Sequence, residues 1–188
     1  MSPTTTPPTA ALIVVSNRIV DGIKPDHATD TAATLLAGAG ISLIHHEVVR
    51  EEESAIVPAL DSQLHTFNET RRGGNVGANK ADIVITLGGT GTRPGNVVPE
   101  VTMQKIAARL HGLETQVLLK GLQSSPKAGL CRGLIGVTQF GHPTQLIINS
   151  AGSRGAVRDT LEVVLPLIGD IFRECSSEKP GVTTAAVH

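Results

Sequence analysis

The run DIVITL, residues 82–87, passes without a break into GGTGTRPGN, residues 88–96. A half-exposed strand alternates apolar and polar positions, whereas Ile83–Leu87 has almost no alternation. Such a run suits a strand covered on both faces, which occurs where helices pack above and below a parallel sheet. ALIVV, residues 11–15, has the same character and ends in the polar break SNR. SLIHHEVV (42–49), GLIGVT (133–138) and QLIIN (145–149) read as further strands.

Helical spacing fills the gaps. ATDTAATLLAG, residues 28–38, has Ala and Leu at helical intervals, with Thr29 or Asp30 as N-cap and Gly38 or Gly40 as stop. Ile56, Leu60 and Leu64 recur every fourth residue across a helix expected from Glu53 to His65. VPEVTMQKIAARLHG, residues 98–112, reads as one helix with Pro99 in its first turn and Gly112 at its end. QFGHP separates the last two strands as the turn of a hairpin. The final helical stretch, residues 152–175, should kink or divide at Pro166.

The expected fold is therefore a three-layer αβα sandwich around a mostly parallel sheet, with one antiparallel hairpin strand toward an edge. Residues 11–175 form one domain, and the Pro/Thr-rich residues 1–10 and the polar residues 176–188 are expected to be disordered tails. In such sheets ligands bind beyond the carboxyl ends of the strands. SNRIVDG, GGTGTRPGN and SAGSRGA all follow strands, so they converge on one edge if those strands are neighbours.

Composition narrows the function. Lys plus Arg number 16 against 17 Asp plus Glu, and aromatics are 2%, so neither a basic groove nor an aromatic platform for nucleic acid is expected. No run approaches the roughly 20 apolar residues of a membrane helix. The opening residues lack a charged and then apolar signal pattern, and Cys131 and Cys175 form no CxxC pair. A cytoplasmic protein is the expectation.

GGTGTRPGN has the composition of an anion cradle. Gly88, Gly89 and Gly91 let successive backbone N–H groups turn toward a phosphate, Thr86 and Thr90 add hydroxyls, and Arg93 adds a cation. It is neither a P-loop nor a GxGxxG fingerprint, and an ordinary tight strand–helix loop would have similar residues. NSAGSRGAVRD, residues 149–159, repeats the theme with Ser150, Gly152, Ser153, Arg154 and Gly155, although Ser153 could simply be a helix N-cap. The pair His45–His46 points to opposite strand faces and so suits no shared metal. Cys131 reads as a buried small residue, and RRGGNVGANK, residues 71–80, as a flexible loop.

The order of these motifs resembles the MogA/MoaB family of molybdenum-cofactor biosynthesis proteins, which share the fold of the gephyrin G domain. The resemblance rests on VSNR (15–18), TLGGTGTRPGNVVPE (86–100), SPKAGLCRG (125–133) and NSAGSRGAVRD, and covers about residues 11–172. It implies a homotrimer that binds molybdopterin and, in the catalytic branch, uses Mg²⁺ and ATP to transfer AMP to the pterin's terminal phosphate. By position it places Thr86, Gly88, Gly89, Thr90 and Gly91 along the pterin phosphate, with Ser150 and Gly152–Gly155 opposite and Ser16 nearby. Glu52 and Asn96 are implied as the catalytic positions facing Mg²⁺-ATP, with Glu52 as the metal ligand.

This chain departs from the family pattern at the charged positions. Asn96 and Asn17 stand where the family has aspartates, Asp26 is kept without its following glycine, and Ala151 replaces a proline. An Asp to Asn change keeps shape but removes charge and general-base capacity, a role worth about 10²–10⁴-fold in rate where used. Two rivals to an adenylyltransferase follow: a molybdopterin-binding paralogue without AMP transfer, and an α/β domain for another phosphorylated ligand.

Overall fold

A computed structural model describes residues 7–65 and 80–176. Most of the expected tails and of the segment 71–80 lie outside the described residues. In chain order the elements are β1 (Thr9–Val15), α1 (Asn17–Val20), α2 (His27–Gly38), β2 (Ser42–Val49), α3 (Glu53–Gln63) and β3 (Ile83–Leu87). Then come α4 (Val98–Met103), β4 (Ala108–Arg109), α5 (His111–Ser124), β5 (Ile135–Val137), β6 (Leu146–Ser150), α6 (Arg154–Val164) and α7 (Ile168–Ser176). Short 3₁₀ turns at Pro126–Leu130 and Leu165–Leu167 join α5 to β5 and α6 to α7.

The six strands lie in the order β2-β1-β3-β6-β5-β4. β2, β1, β3 and β6 are parallel, and the hairpin strand β5 runs against both β6 and β4. Alternation within the buried strands divides the core. Leu12, Val14, Ile83, Ile85 and Ile148 meet α2 and α6 through Ala32, Leu36, Val157 and Leu161. Ile13, Val15, Val84 and Ile147 face the opposite way, toward Ile56 and Leu60 of α3 and Val98 and Val101 of α4. This is the expected three-layer α/β arrangement. Among the described residues no helix is long and apolar enough to cross a membrane.

Three local expectations need correction. β1 starts at Thr9, so the first strand claims the last two residues of the expected tail; Asp82 holds Thr9 by its carboxylate, 2.8 Å from the Thr9 N–H. The N-cap of α2 is Asp26, not Thr29 or Asp30: its carboxylate accepts the N–H groups of Ala28 and Thr29. Residues 98–112 are not one helix. α4 stops at Met103, because Ala108 and Arg109 leave it to pair with β5, and Gly112 lies in the first turn of α5. α5 itself had no sequence expectation, since it buries only Leu113 and Gly121 and leaves Leu118, Leu119 and Leu122 exposed. Pro166 divides the last helix as expected.

One buried polar residue ties the sheet to α4. Asn149 on β6 is 4% exposed; its amide donates to Thr86 Oγ1 at 2.9 Å, and its carbonyl oxygen accepts from Leu134 N–H at 3.1 Å and lies 2.9 Å from Thr102 Oγ1. Truncation strands several buried polar groups together. Asn149→Ala is expected to lower stability by about 2–3 kcal/mol, read as a shift of the urea midpoint at unchanged slope.

Candidate functional site

β1, β3 and β6 are adjacent, so the loops that follow them meet at one end of the sheet. They enclose a cavity of about 260 Å³. Ser16 and Arg18 come from the first loop, Gly88, Gly89, Thr90, Gly91, Arg93 and Asn96 from the second, and Ala151 and Gly152 from the third. Lys24 and Glu51 complete the charged wall.

The floor is the glycine turn. Gly88 N–H donates to Ser150 O at 2.9 Å, and Val98 N–H to Gly89 O at 3.2 Å, which anchors the turn to β6 and to α4. The N–H groups of Gly89, Thr90 and Gly91 have no acceptor among the described residues. Three successive unpaired donors form a nest suited to an anion. At Gly91 a Cβ would stand 2.7 Å from Asn96 Oδ1, so a larger residue there would push the Asn96 side chain aside.

Charge around the cavity favours the same ligand. Arg18, Lys24 and Arg93 face one carboxylate, Glu51. Sequence reasoning missed Lys24, which is brought beside Arg18 because Ile23 and Lys24 N–H both fold back onto Arg18 O. Glu51 was missed too: it lines this cavity, and Glu52 does not. Of the acidic triplet, Glu51 lies two residues beyond β2, while Glu52 is an exposed residue at the N-terminus of α3, 3.5 Å from Ser54 Oγ. The helix start turns the two carboxylates apart, which the sequence REEE did not reveal.

Both asparagines converge on Glu51. Asn96 Nδ2 donates to Glu51 Oε2 at 3.1 Å, and Asn17 Oδ1 accepts from Glu51 N–H at 3.0 Å. The carboxylate thus accepts one side-chain amide hydrogen bond, from Asn96, while Asn17 holds the Glu51 backbone. A magnesium ion here would have this carboxylate and the Asn96 amide oxygen as protein donors; among the described residues no group of three His, Cys, Asp or Glu side chains gathers for a metal. One carboxylate fits Mg²⁺ when substrate phosphates supply the remaining oxygens.

Other expected site residues are placed elsewhere. Thr86 is fully buried and bonded to Asn149, so it supports the cradle without touching the cavity. Ser150 is 1% exposed, its hydroxyl donating to Ala151 O and accepting from Thr160. Ser153 is the N-cap of α6, accepting from Ala156 N–H at 3.2 Å. Arg154 is exposed and lines neither cavity. Asp26 is occupied at the N-terminus of α2; burial pushes its carboxyl upward, but the bonds from Thr29 and Ala28 outweigh that and hold it below the usual range. The two histidines diverge, His45 to Glu47 and His46 toward Thr29 and Asp26.

A second, more apolar cavity of about 340 Å³ lies on the other side of the third loop, between α5 and α6. Val117, Ile135, Ala151 and Ala156 line it, with Asp159 at the polar side. Ser153 and Gly155 reach this cavity rather than the first. Cys131 is exposed there instead of buried, and its thiol lies 3.4 Å from Thr90 Oγ1, so the two cavities adjoin through Thr90 and Ala151.

Residues 11–170 match the family model described as "Probable molybdopterin binding domain". Among solved structures, a Corynebacterium diphtheriae protein assigned to molybdenum cofactor biosynthesis is 32% identical, with a TM-score of 0.76 over 92% of this chain and 100% of that one. Molybdopterin adenylyltransferase of Helicobacter pylori is 28% identical over 66% of this chain and 61% of its own length. Gephyrin of Dictyostelium discoideum is 37% identical over 47% of this chain, a match that spans 12% of the longer protein.

Proposed function

The chain belongs to the MogA/MoaB family of molybdenum-cofactor biosynthesis proteins, and from that premise we propose that it binds molybdopterin across the two adjoining cavities and transfers AMP from ATP to the pterin's terminal phosphate. The observation that carries the reading is the pairing of unlike cavities. One has three cations and three unpaired N–H groups, suited to phosphates; the other is more apolar, with the Glu114 and Asp159 carboxylates and Lys127 among its lining, suited to a heterocycle with N–H donors.

In the reaction an oxygen of the pterin phosphate attacks the α-phosphorus of ATP. A new P–O bond forms, the α–β bridging bond breaks, and pyrophosphate leaves with the electron pair. Such transfers depend on positioning and charge neutralisation rather than on covalent help from the protein. Gly89–Gly91 N–H groups would hold the acceptor phosphate, and Arg18, Lys24 and Arg93 would offset the negative charge of both reactants. Magnesium, held by Glu51 and the Asn96 amide oxygen, would neutralise phosphate charge when bound.

A second reading, molybdopterin binding without transfer, is favoured by the Asn96–Glu51 hydrogen bond, which satisfies the carboxylate with no cation. Incubation with molybdopterin, Mg²⁺ and ATP separates the two. Adenylylated pterin and equimolar pyrophosphate are expected; saturable pterin binding with neither product would establish the second reading. A copurifying phosphorylated species without pterin absorbance would overturn both.

A further inference from the structure

We infer that Arg132 is a positioning residue, which holds Asn96 against Glu51 by gripping the glycine loop from the open groove behind it. The inference rests on the adenylyl-transfer reading for its kinetic consequence, though not for its geometry. Arg132 lines the groove beside α4 and α5 and is absent from the wall of the cationic cavity, so it cannot act by touching a phosphate there.

Its grip reaches from Thr90 to Asn96. The Arg132 backbone N–H donates to Thr90 O at 2.9 Å, Nε to Gly91 O at 3.0 Å, and Nη2 to Asn96 O at 2.6 Å. Nη1 meets the Glu100 carboxylate at the start of α4. That contact, ahead of a small opposing effect of burial, holds the Glu100 carboxyl below its usual range. The carbonyls of Gly91 and Asn96 have no other donor among the described residues. Between them Thr92–Gly95 is exposed and held only by local turns, Asn96 N–H to Arg93 O and Val97 N–H to Gly95 O.

The loop therefore has two halves with separate supports. Gly88 and Gly89 are pinned to β6 and α4 without Arg132. Arg93 and Asn96 depend on it, and a planar fork that reaches two carbonyls and a carboxylate at once has no equivalent in lysine.

Hydrogen exchange on the full chain tests the geometry, with Arg132→Ala, Arg132→Lys and Glu100→Gln compared. In both Arg132 variants exchange at the Asn96 and Val97 amides is expected to rise at least about tenfold, with Gly88 unchanged. Glu100→Gln, which spares both carbonyl contacts, should match the wild type. In the AMP-transfer assay both Arg132 variants should lower kcat by up to about a hundredfold, with the molybdopterin KM changed by less than about threefold. Unchanged exchange at Asn96, an equal rise at Gly88, or wild-type kinetics in Arg132→Lys would overturn the inference. The expected exchange pattern in a wild type that forms no adenylylated pterin would support the positioning role and sink the reaction reading instead.

Discussion

Gly88→Ala is expected to lower stability by about 3–5 kcal/mol and to abolish binding of a phosphorylated pterin. Gly88 has φ of 105°, where an L side chain is strained, and a Cβ built there would lie 2.4 Å from Val15 O. That oxygen belongs to backbone at the end of β1, a strand paired on both sides, and the adjoining Ser16 N–H is bonded to Val49 O. Neither partner can yield cheaply. Relief requires moving Gly88 away, which breaks its bond to Ser150 O and misdirects the three N–H groups that follow. Gly40→Ala is the control, since Gly40 also has positive φ, 73°, but open space around it. There only the backbone strain of roughly 1–2 kcal/mol applies. Urea unfolding gives the stability of each variant, and fluorescence titration with molybdopterin gives the binding. A Gly88→Ala protein as stable as Gly40→Ala, or one that binds normally, would show that the turn is not the rigid floor described above.

The layers and the mostly parallel sheet were legible because they depend on long, two-sided apolar runs such as Ile83–Leu87 and Ala11–Val15. The strand order was not, because runs buried on both faces look alike and only the structure sets β3 between β1 and β6. α5 was illegible for the opposite reason. It covers the sheet with few residues, its leucines at 118, 119 and 122 face outward, and Gly121 sits mid-helix where a Cβ would press 2.9 Å from Ala128 Cβ. The cradle glycines were readable from the resemblance and from their freedom of φ. Which neighbouring polar group faces the cavity was not. Glu51 and Glu52 differ by one residue, and only the point where β2 yields to α3 decides between them. Thr86 and Ser150 failed likewise, because strand ends that converge on a site also bury their own hydroxyls beneath it.

Asn96→Asp combined with Asn17→Asp is expected to raise Mg²⁺-dependent AMP transfer by about a hundredfold or more. It should also make stability depend on the cation. Asn96 Nδ2 now stands 3.1 Å from Glu51 Oε2 as a donor to an acceptor. With aspartate in its place two carboxylates would share that distance, and like charges so close cannot both ionise unless a cation lies between them. The Asn17 change preserves its acceptor for Glu51 N–H and adds a third negative charge at the same point. In chelator the double variant should lose about 1–2 kcal/mol relative to wild type. Saturating Mg²⁺ should restore it, with about 2.7 kcal/mol gained at a hundredfold excess over Kd. The sign with pH follows from the pair: its folded pKa is raised, so the folded state binds more protons than the unfolded one. The chelated variant should then gain stability as pH falls through that raised value, opposite to a salt-bridged carboxylate. Without substrate phosphates to complete its magnesium site, wild type, whose carboxylate is satisfied by an amide, should show neither dependence. Thermal unfolding with and without Mg²⁺ reads the metal site independently of turnover. A double variant indifferent to Mg²⁺ would mean that position 96 does not face the metal. Equal turnover in variant and wild type would mean that the single carboxylate of Glu51 suffices, and the asparagines would then carry no loss of function.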